Sequence, residues 1–269
     1  MDLQDTAGTG AGDGLPVAEI DEEARDRAEA HEEVRRDAAQ GTPLDFDRPN
    51  LLIAGPSGSG KSSSLRNLDP ARTIILSTEQ KPLPFRGARR FQMHQHVHNF
   101  AEFERLLTRA LASDRADVVV IDSWTSLTEM AYRALIRPVE RSGDKVMAAW
   151  QGYKDALHDI LLAAKASPKW CVFIGIDDVV QDENNRLIRT LAVQGSLKGK
   201  VEKEFTVVLW TRVVDPSLAD EAGNRYYFLT NSDGTCKAKT PMEMFDTMLV
   251  PNDIAAVIRR VTDYYTSDT

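Results

Sequence analysis

The stretch "NLLIAGPSGSGKSSSLRNL", Asn50 to Leu68, decides the fold. An apolar run, Leu51–Ala54, enters a loop in which Gly55, Gly60, Lys61 and Ser62 satisfy G-x-x-x-x-G-K-[ST], and a helical pattern over Lys61–Leu68 follows. Strand, loop and helix in that order form the context in which this motif cradles phosphate. The loop of Gly55, Pro56, Ser57, Gly58, Ser59 and Gly60 can curl so that its N–H groups, with those of Ser62 and Ser63 at the helix start, face an anion. Lys61 is expected to reach the β and γ oxygens and the Ser62 hydroxyl to hold Mg²⁺, so ATP and Mg²⁺ are the implied ligands.

Beyond this unit, short β-branched runs alternate with helical patterns, which predicts an α/β fold with a mostly parallel sheet and helices on both faces. Strands are expected at Leu51–Ala54, Thr73–Ser77, Arg90–Met93, Val118–Ile121, Trp170–Ile176, Val207–Arg212 and Tyr226–Leu229. Helices are expected near Lys61–Leu68, Phe100–Ser113, Ser126–Ile136, Tyr153–Ala166 and Asp253–Tyr264. The last three strands have little helix between them, which points to an antiparallel edge.

In "ADVVVIDSWTSL" the apolar residues Val118 to Ile121 end at Asp122, as a buried strand delivering a carboxylate to Mg²⁺ would. Transporter ATPases and most AAA-type motors place a water-polarising glutamate next, whereas this chain has Ser123. The base must then come from elsewhere, and Glu79 in "TIILSTEQ", at the end of the preceding strand, is the candidate, because neighbouring parallel strands end at one sheet edge.

On these residues the chain resembles the RecA-like ATPase core. It looks most like phage-encoded RecA-core proteins of single-strand annealing and recombination, which often carry only an AAA, ATP-binding label. The resemblance covers about residues 48–245 and rests on "GPSGSGKSS", "STE", "VVVIDSWTSL", "WQGYKDAL", "VQGSLKGK" and "NSDGTCKAKTPMEMF". It implies a DNA-stimulated ATPase that binds single-stranded DNA, assembles as a ring or filament and works in the host cytoplasm. Two positions depart from the pattern. Where the family ends a strand in a His or Gln-like γ-phosphate sensor, "CVFIGIDDVV" has Asp177 and Asp178; where it has a Lys and an Arg two apart, this chain has Lys239 and Pro241. Lys239, with Lys237 as the spare, is the implied cation offered to a neighbouring subunit's nucleotide.

Two windows carry bases without acids. Residues 184–201 hold Arg186, Arg189, Lys198 and Lys200, in the region where RecA-like proteins place a mobile DNA-binding loop. Residues 80–101 hold Lys81, Arg86, Arg89 and Arg90, with Phe85 and Phe91 available for stacking on bases. Either could track a phosphate backbone, and either pattern also describes ordinary solvated surface. His94, His96 and His98 alternate as metal ligands on one strand face would, without a supporting cysteine or carboxylate nearby in sequence; Trp124, Trp150 and Trp170 read as packing residues.

Composition adds the rest. The chain of 269 residues has a formal net charge of −8, and residues 1–40 hold 12 acids and 4 bases, so the acidity belongs to an N-terminal segment and the body is neutral. Residues 1–16 read as disordered, 17–40 as a solvated or partner-docking helix, and 46–269 as the ATPase domain, with the acidic tail of residues 1–45 a handle for a protein partner. Cys171 and Cys236 form no C-x-x-C pair, and no apolar run approaches the roughly 20 residues of a membrane span. A nucleotide kinase fits the loop but needs an arginine-rich lid that is not evident after Asp122. A transporter-type ATPase needs an LSGGQ-like signature; an ATP-dependent interaction protein without DNA activity stays open.

Overall fold

The computed structural model describes residues 48–142, 145–181 and 185–267; the expected acidic tail and its helix lie outside the described residues. Among the described residues, nine strands form one sheet: β1 Leu51–Gly55, β2 Thr73–Ser77, β3 His94–His96, β4 Val118–Asp122, β5 Trp170–Gln181, β6 Leu187–Leu191, β7 Val207–Val213, β8 Tyr226–Leu229 and β9 Leu249–Pro251. The described α-helices are α1 Phe100–Ala112, α2 Trp124–Leu135, α3 Arg137–Ser142, α4 Val146–Ala166 and α5 Ile254–Thr266. The strand order is β3-β2-β4-β5-β1-β7-β8-β9, with β6 paired to β5.

Strand β1 is central and every residue of it is buried. Alternation sends Leu52 and Ala54 to the face covered by α1, α2 and α4, and Leu51 and Ile53 to the face covered by α5 and the turn after the phosphate loop. Strand β4 divides likewise, with Val119 and Ile121 against Val118 and Val120, so the run "VVVI" is apolar throughout because both of its faces are covered. Asn99, Ser123 and Asp253 cap α1, α2 and α5 by accepting hydrogen bonds from backbone N–H groups of the first turn.

The fold class is that expected: an α/β domain with a mostly parallel sheet. Strands β3, β2, β4, β5, β1 and β7 run parallel, and the antiparallel edge is β7–β8–β9; of the three strands expected there, Trp170–Ile176 lies instead inside the sheet, parallel to β4 and β1. Four local expectations are corrected. The helix over Lys61–Leu68 is a 3₁₀ helix, Ser62–Asn67. There Ser64 N–H is shared between Gly60 and Lys61 carbonyls at 3.0 and 3.2 Å, its hydroxyl donates to Lys61 O at 2.6 Å, and Pro70 follows too soon for an α-helix to extend. The strand over Arg90–Met93 begins instead at His94, because a turn through Gly87 closes with Arg90 N–H on Gly87 O at 3.0 Å. The strand from Trp170 runs on to Gln181 and pairs with β6, which the sequence reading lacked, as it lacked β9. Helix α4 starts at Val146 rather than Tyr153. Among the described residues, no helix is long and apolar enough to cross a membrane.

Candidate active site

The parallel strands β1, β2 and β4 end at the same sheet edge, and there a cavity of about 640 Å³ opens. Gly58, Gly60, Lys61 and Ser62 line it together with Glu79 from the end of β2 and Asp122 from the end of β4. Gly60 has φ +93°, and a Cβ there would stand 2.9 Å from the Tyr226 ring, so both backbone and packing demand glycine. Gly55 is equally constrained, since a Cβ would stand 1.9 Å from Thr211 Oγ1.

Lys61 is buried, and its ammonium donates to Gly55 O at 2.9 Å and Pro56 O at 2.6 Å. Burial pushes its pKa below the usual lysine value, and the carboxylates of Asp177, Asp122 and Glu79 partly restore it. Ser62 Oγ donates to Asp122 Oδ2 at 2.7 Å. Burial raises the Asp122 pKa, the Ser62 hydrogen bond lowers it, and the Glu79 charge raises it again, with a net rise. A hydroxyl and a carboxylate held this close are the oxygen donors Mg²⁺ takes, so the pair fits that ion. Thr78 ties the two strand ends together: its N–H donates to Asp122 O at 2.8 Å, and its hydroxyl accepts from Ser123 N–H at 2.9 Å.

Ser123 is the N-cap of α2, its hydroxyl accepting from Ser126 N–H at 3.2 Å, which gives the residue after Asp122 a structural duty. Glu79 is the carboxylate on the neighbouring strand end, largely buried and ion-paired to Lys81. The side opposite Asp122 is closed by residues that no local motif signalled: Arg66, Asn224, Tyr226 and Asn252. Arg66 Nη1 donates to Asn252 O at 2.6 Å and Asn67 Nδ2 to Asp253 Oδ2 at 2.8 Å, so the start of α5 is pinned to the phosphate loop.

Other expected residues lie apart. Arg189 of β6 pairs with Asp177 of β5 at 2.8 Å, and Lys198, directly after the 3₁₀ turn Gly195–Leu197, pairs with Asp178 at 2.7 Å, so neither is a free cation, and this region is strand and 3₁₀ turn rather than a loop throughout. The same pairing occupies the two aspartates at the sensor position. Arg186 and Lys200 are exposed, as are Arg86, Arg89 and Arg90. Phe91 is buried edge-on against Phe85 at 5.7 Å between centroids, so it is not available to stack on bases. Lys239 bridges to Val208 near the start of β7, at the sheet edge remote from Lys61, while Lys237 donates to Gly199 O. His98 turns to Gln80 at 3.0 Å, and among the described residues no group of three ligands could hold a metal. Trp124 is fully buried edge-on to Phe173, as its packing role requires.

No curated protein matches the chain. A model of the AAA domain matches residues 47–242, nearly three-quarters of the sequence, and spans the phosphate loop, Glu79 and Asp122. The cradle thus lies within a matched P-loop domain, and the chain belongs to the AAA-domain family of P-loop ATPases.

Proposed function

We propose that the chain is a RecA-like ATPase that hydrolyses ATP with Glu79 as the base, binds single-stranded DNA and works as a ring or filament in phage-type recombination, annealing or replication. The observation that carries this reading is that Lys61, Asp122 and Glu79 line one cavity while Ser123 is spent on capping α2. The Glu79 carboxylate accepts a proton from water once Lys81 yields it, and the Lys61 ammonium exchanges loop carbonyls for phosphate oxygens. Ser62 and Asp122 would hold Mg²⁺, which would supply positive charge against the phosphates.

The DNA part rests on the segment that follows Glu79. Lys81, Pro82 and Pro84 form cavity wall, and Arg86, Arg89 and Arg90 stand exposed directly beyond, so a phosphate backbone on these arginines acts on the wall beside the base. Assembly rests on Lys239. At the sheet edge away from its own phosphate loop, it lines a cavity of about 560 Å³ with Arg48, Lys165 and Lys203, and a neighbouring copy's triphosphate is the one it could serve.

ATPase rate with and without single-stranded DNA, measured beside native mass, tests the reading. Stimulation that weakens with salt, in a species larger than the monomer, is expected. A rate indifferent to both DNA and salt favours an ATP-dependent interaction protein.

A further inference from the structure

Among the described residues, three cations line the cavity at the sheet edge: Lys61, Arg66 and Lys81. Two of them have fixed duties. Lys61 belongs to the phosphate loop, and Arg66 donates to Ser63 O at 3.1 Å and to Asn252 O at 2.6 Å, holding the start of α5. The third, Lys81, is 57% exposed and ion-paired to Glu79, which is 15% exposed.

The local chain makes this pair. Gln80, between its two members, has φ +49°, a left-handed conformation uncommon for a residue with a side chain, and its amide meets His98 Nδ1 at 3.0 Å. The turn folds Lys81 back over the carboxylate. Just beyond, Leu83 is buried in the core and Pro84 O accepts from Ser63 Oγ at 3.4 Å, which anchors the backbone beside the phosphate loop. A four-carbon stem on an anchored backbone lets the ammonium change partners within the cavity. The hydrogen bond to Glu79 holds the Lys81 pKa above the usual lysine value, so the side chain is a cation at neutral pH. Burial is the main cause of the lowered Lys61 pKa and the Lys81 charge adds to it, which places the two ammoniums in one electrostatic space.

With this pair closed, the site is idle, because a carboxylate held by an ammonium is a poor proton acceptor. A partly exposed ion pair is weak, and a terminal phosphoryl group carries more negative charge than a carboxylate, so a bound triphosphate outcompetes Glu79 for Lys81. We propose that Lys81 is a second catalytic cation: its ammonium leaves Glu79 for the terminal phosphoryl oxygens, and one movement both frees the base and stabilises the charge developing in the transition state. The inference rests on the nucleotide reading above, with Glu79 as base, and deepens it. As the water oxygen bonds to the γ-phosphorus, Glu79 takes one water proton and the other stays on the new phosphate. The bond from that phosphorus to the bridging oxygen breaks, its electron pair leaves with ADP, and Glu79 returns its proton to solvent. Lys81 keeps its own proton throughout.

The test compares wild type, Lys81→Gln and Lys81→Arg as full chains. Steady-state phosphate release gives turnover, and titration calorimetry with Mg²⁺ gives affinity for ADP and for the β,γ-imido analogue of ATP. Wild type should bind the triphosphate analogue tighter than ADP. In Lys81→Gln, turnover should fall by about 100-fold or more, as when one oxyanion donor is removed. Its preference for triphosphate over diphosphate should shrink by about tenfold while ADP affinity holds, because ADP has no terminal phosphoryl group for the lysine to meet. Lys81→Arg keeps the charge and should recover part of both. Turnover that rises or stays level in Lys81→Gln makes the pair a mere restraint on Glu79 and overturns the inference, as does an unchanged preference for the triphosphate. Undiminished hydrolysis in Glu79→Gln removes the base instead, and leaves the binding preference to judge Lys81 by itself. A wild type that binds neither nucleotide removes the nucleotide reading, and this inference with it.

Discussion

The Ser62 hydroxyl donates to Asp122 Oδ2 at 2.7 Å, joining the phosphate loop to the end of β4 across the sheet edge. Burial holds the Asp122 pKa above its usual 3.8. A raised folded-state pKa means that protonation stabilises the ligand-free fold, a contribution present below the unfolded pKa and lost as pH rises through the folded one. Asp122→Asn should therefore raise the melting temperature of the ligand-free protein at neutral pH and remove the Mg²⁺-dependent part of ATP affinity. Wild-type affinity should fall on acidification at higher pH than an exposed aspartate would dictate. Thermal melts between about pH 4 and 8, with and without Mg²⁺ and ATP, check both.

Lys61→Ala should weaken ATP binding by about 100-fold and leave the fold intact. Among the described residues the ammonium bonds only to the carbonyls of Gly55 and Pro56 in its own loop, so no distant described element depends on it. Fluorescent-nucleotide titration beside circular dichroism reads the two effects separately; unaltered affinity contradicts the assignment.

Glu79→Gln keeps the shape of the side chain and removes its basicity. ATP affinity should hold while turnover falls by roughly 10²- to 10⁴-fold. Steady-state phosphate release gives the answer, and undiminished hydrolysis rules Glu79 out as the base.

The arginines of the two basic windows should separate. Arg189→Ala leaves the buried Asp177 carboxylate, 4% exposed, without its cation and should cost about 1 to 3 kcal/mol of stability in urea unfolding. Arg89→Ala with Arg90→Ala should change stability by less than about 0.5 kcal/mol and weaken single-stranded DNA binding, with a shallower salt dependence. Equal loss of stability from both sets contradicts the division.

Gly60→Ala should impair ATP binding where Gly58→Ala does so less. Both glycines have positive φ, but a Cβ at Gly60 meets the Tyr226 ring at 2.9 Å while one at Gly58 meets nothing within 4 Å. The comparison, by the same titration, isolates packing from backbone strain, which costs about 1 to 2 kcal/mol at either position.

Much of this site could be read along the chain because its chemistry is carried by contiguous patterns. The loop from Gly55 to Ser62 follows a buried strand, and an apolar run marks Val118–Ile121 as a strand that ends in Asp122. Parallel strands finish at one edge, so Glu79 could be placed near Asp122 without coordinates. Local pattern showed that Ser123 stands where other motors have glutamate, but its capping of α2 emerges only where the helix begins, two residues earlier than the periodicity suggested.

What depended on tertiary structure was pairing over long separations. Arg189 and Lys198 counted as free bases until the register of β5 with β6 set Arg189 beside Asp177 and the 3₁₀ turn at Gly195–Leu197 brought Lys198 to Asp178. Phe91 counted as a stacking surface until it turned into the core. Asn252, 191 positions after Lys61 in sequence, reaches the same cavity because Arg66 and Asn67 tie the start of α5 to the phosphate loop. A local motif records which atoms a backbone turn presents; which distant side chain closes the pocket depends on strand register and helix docking, and these are properties of the packed sheet.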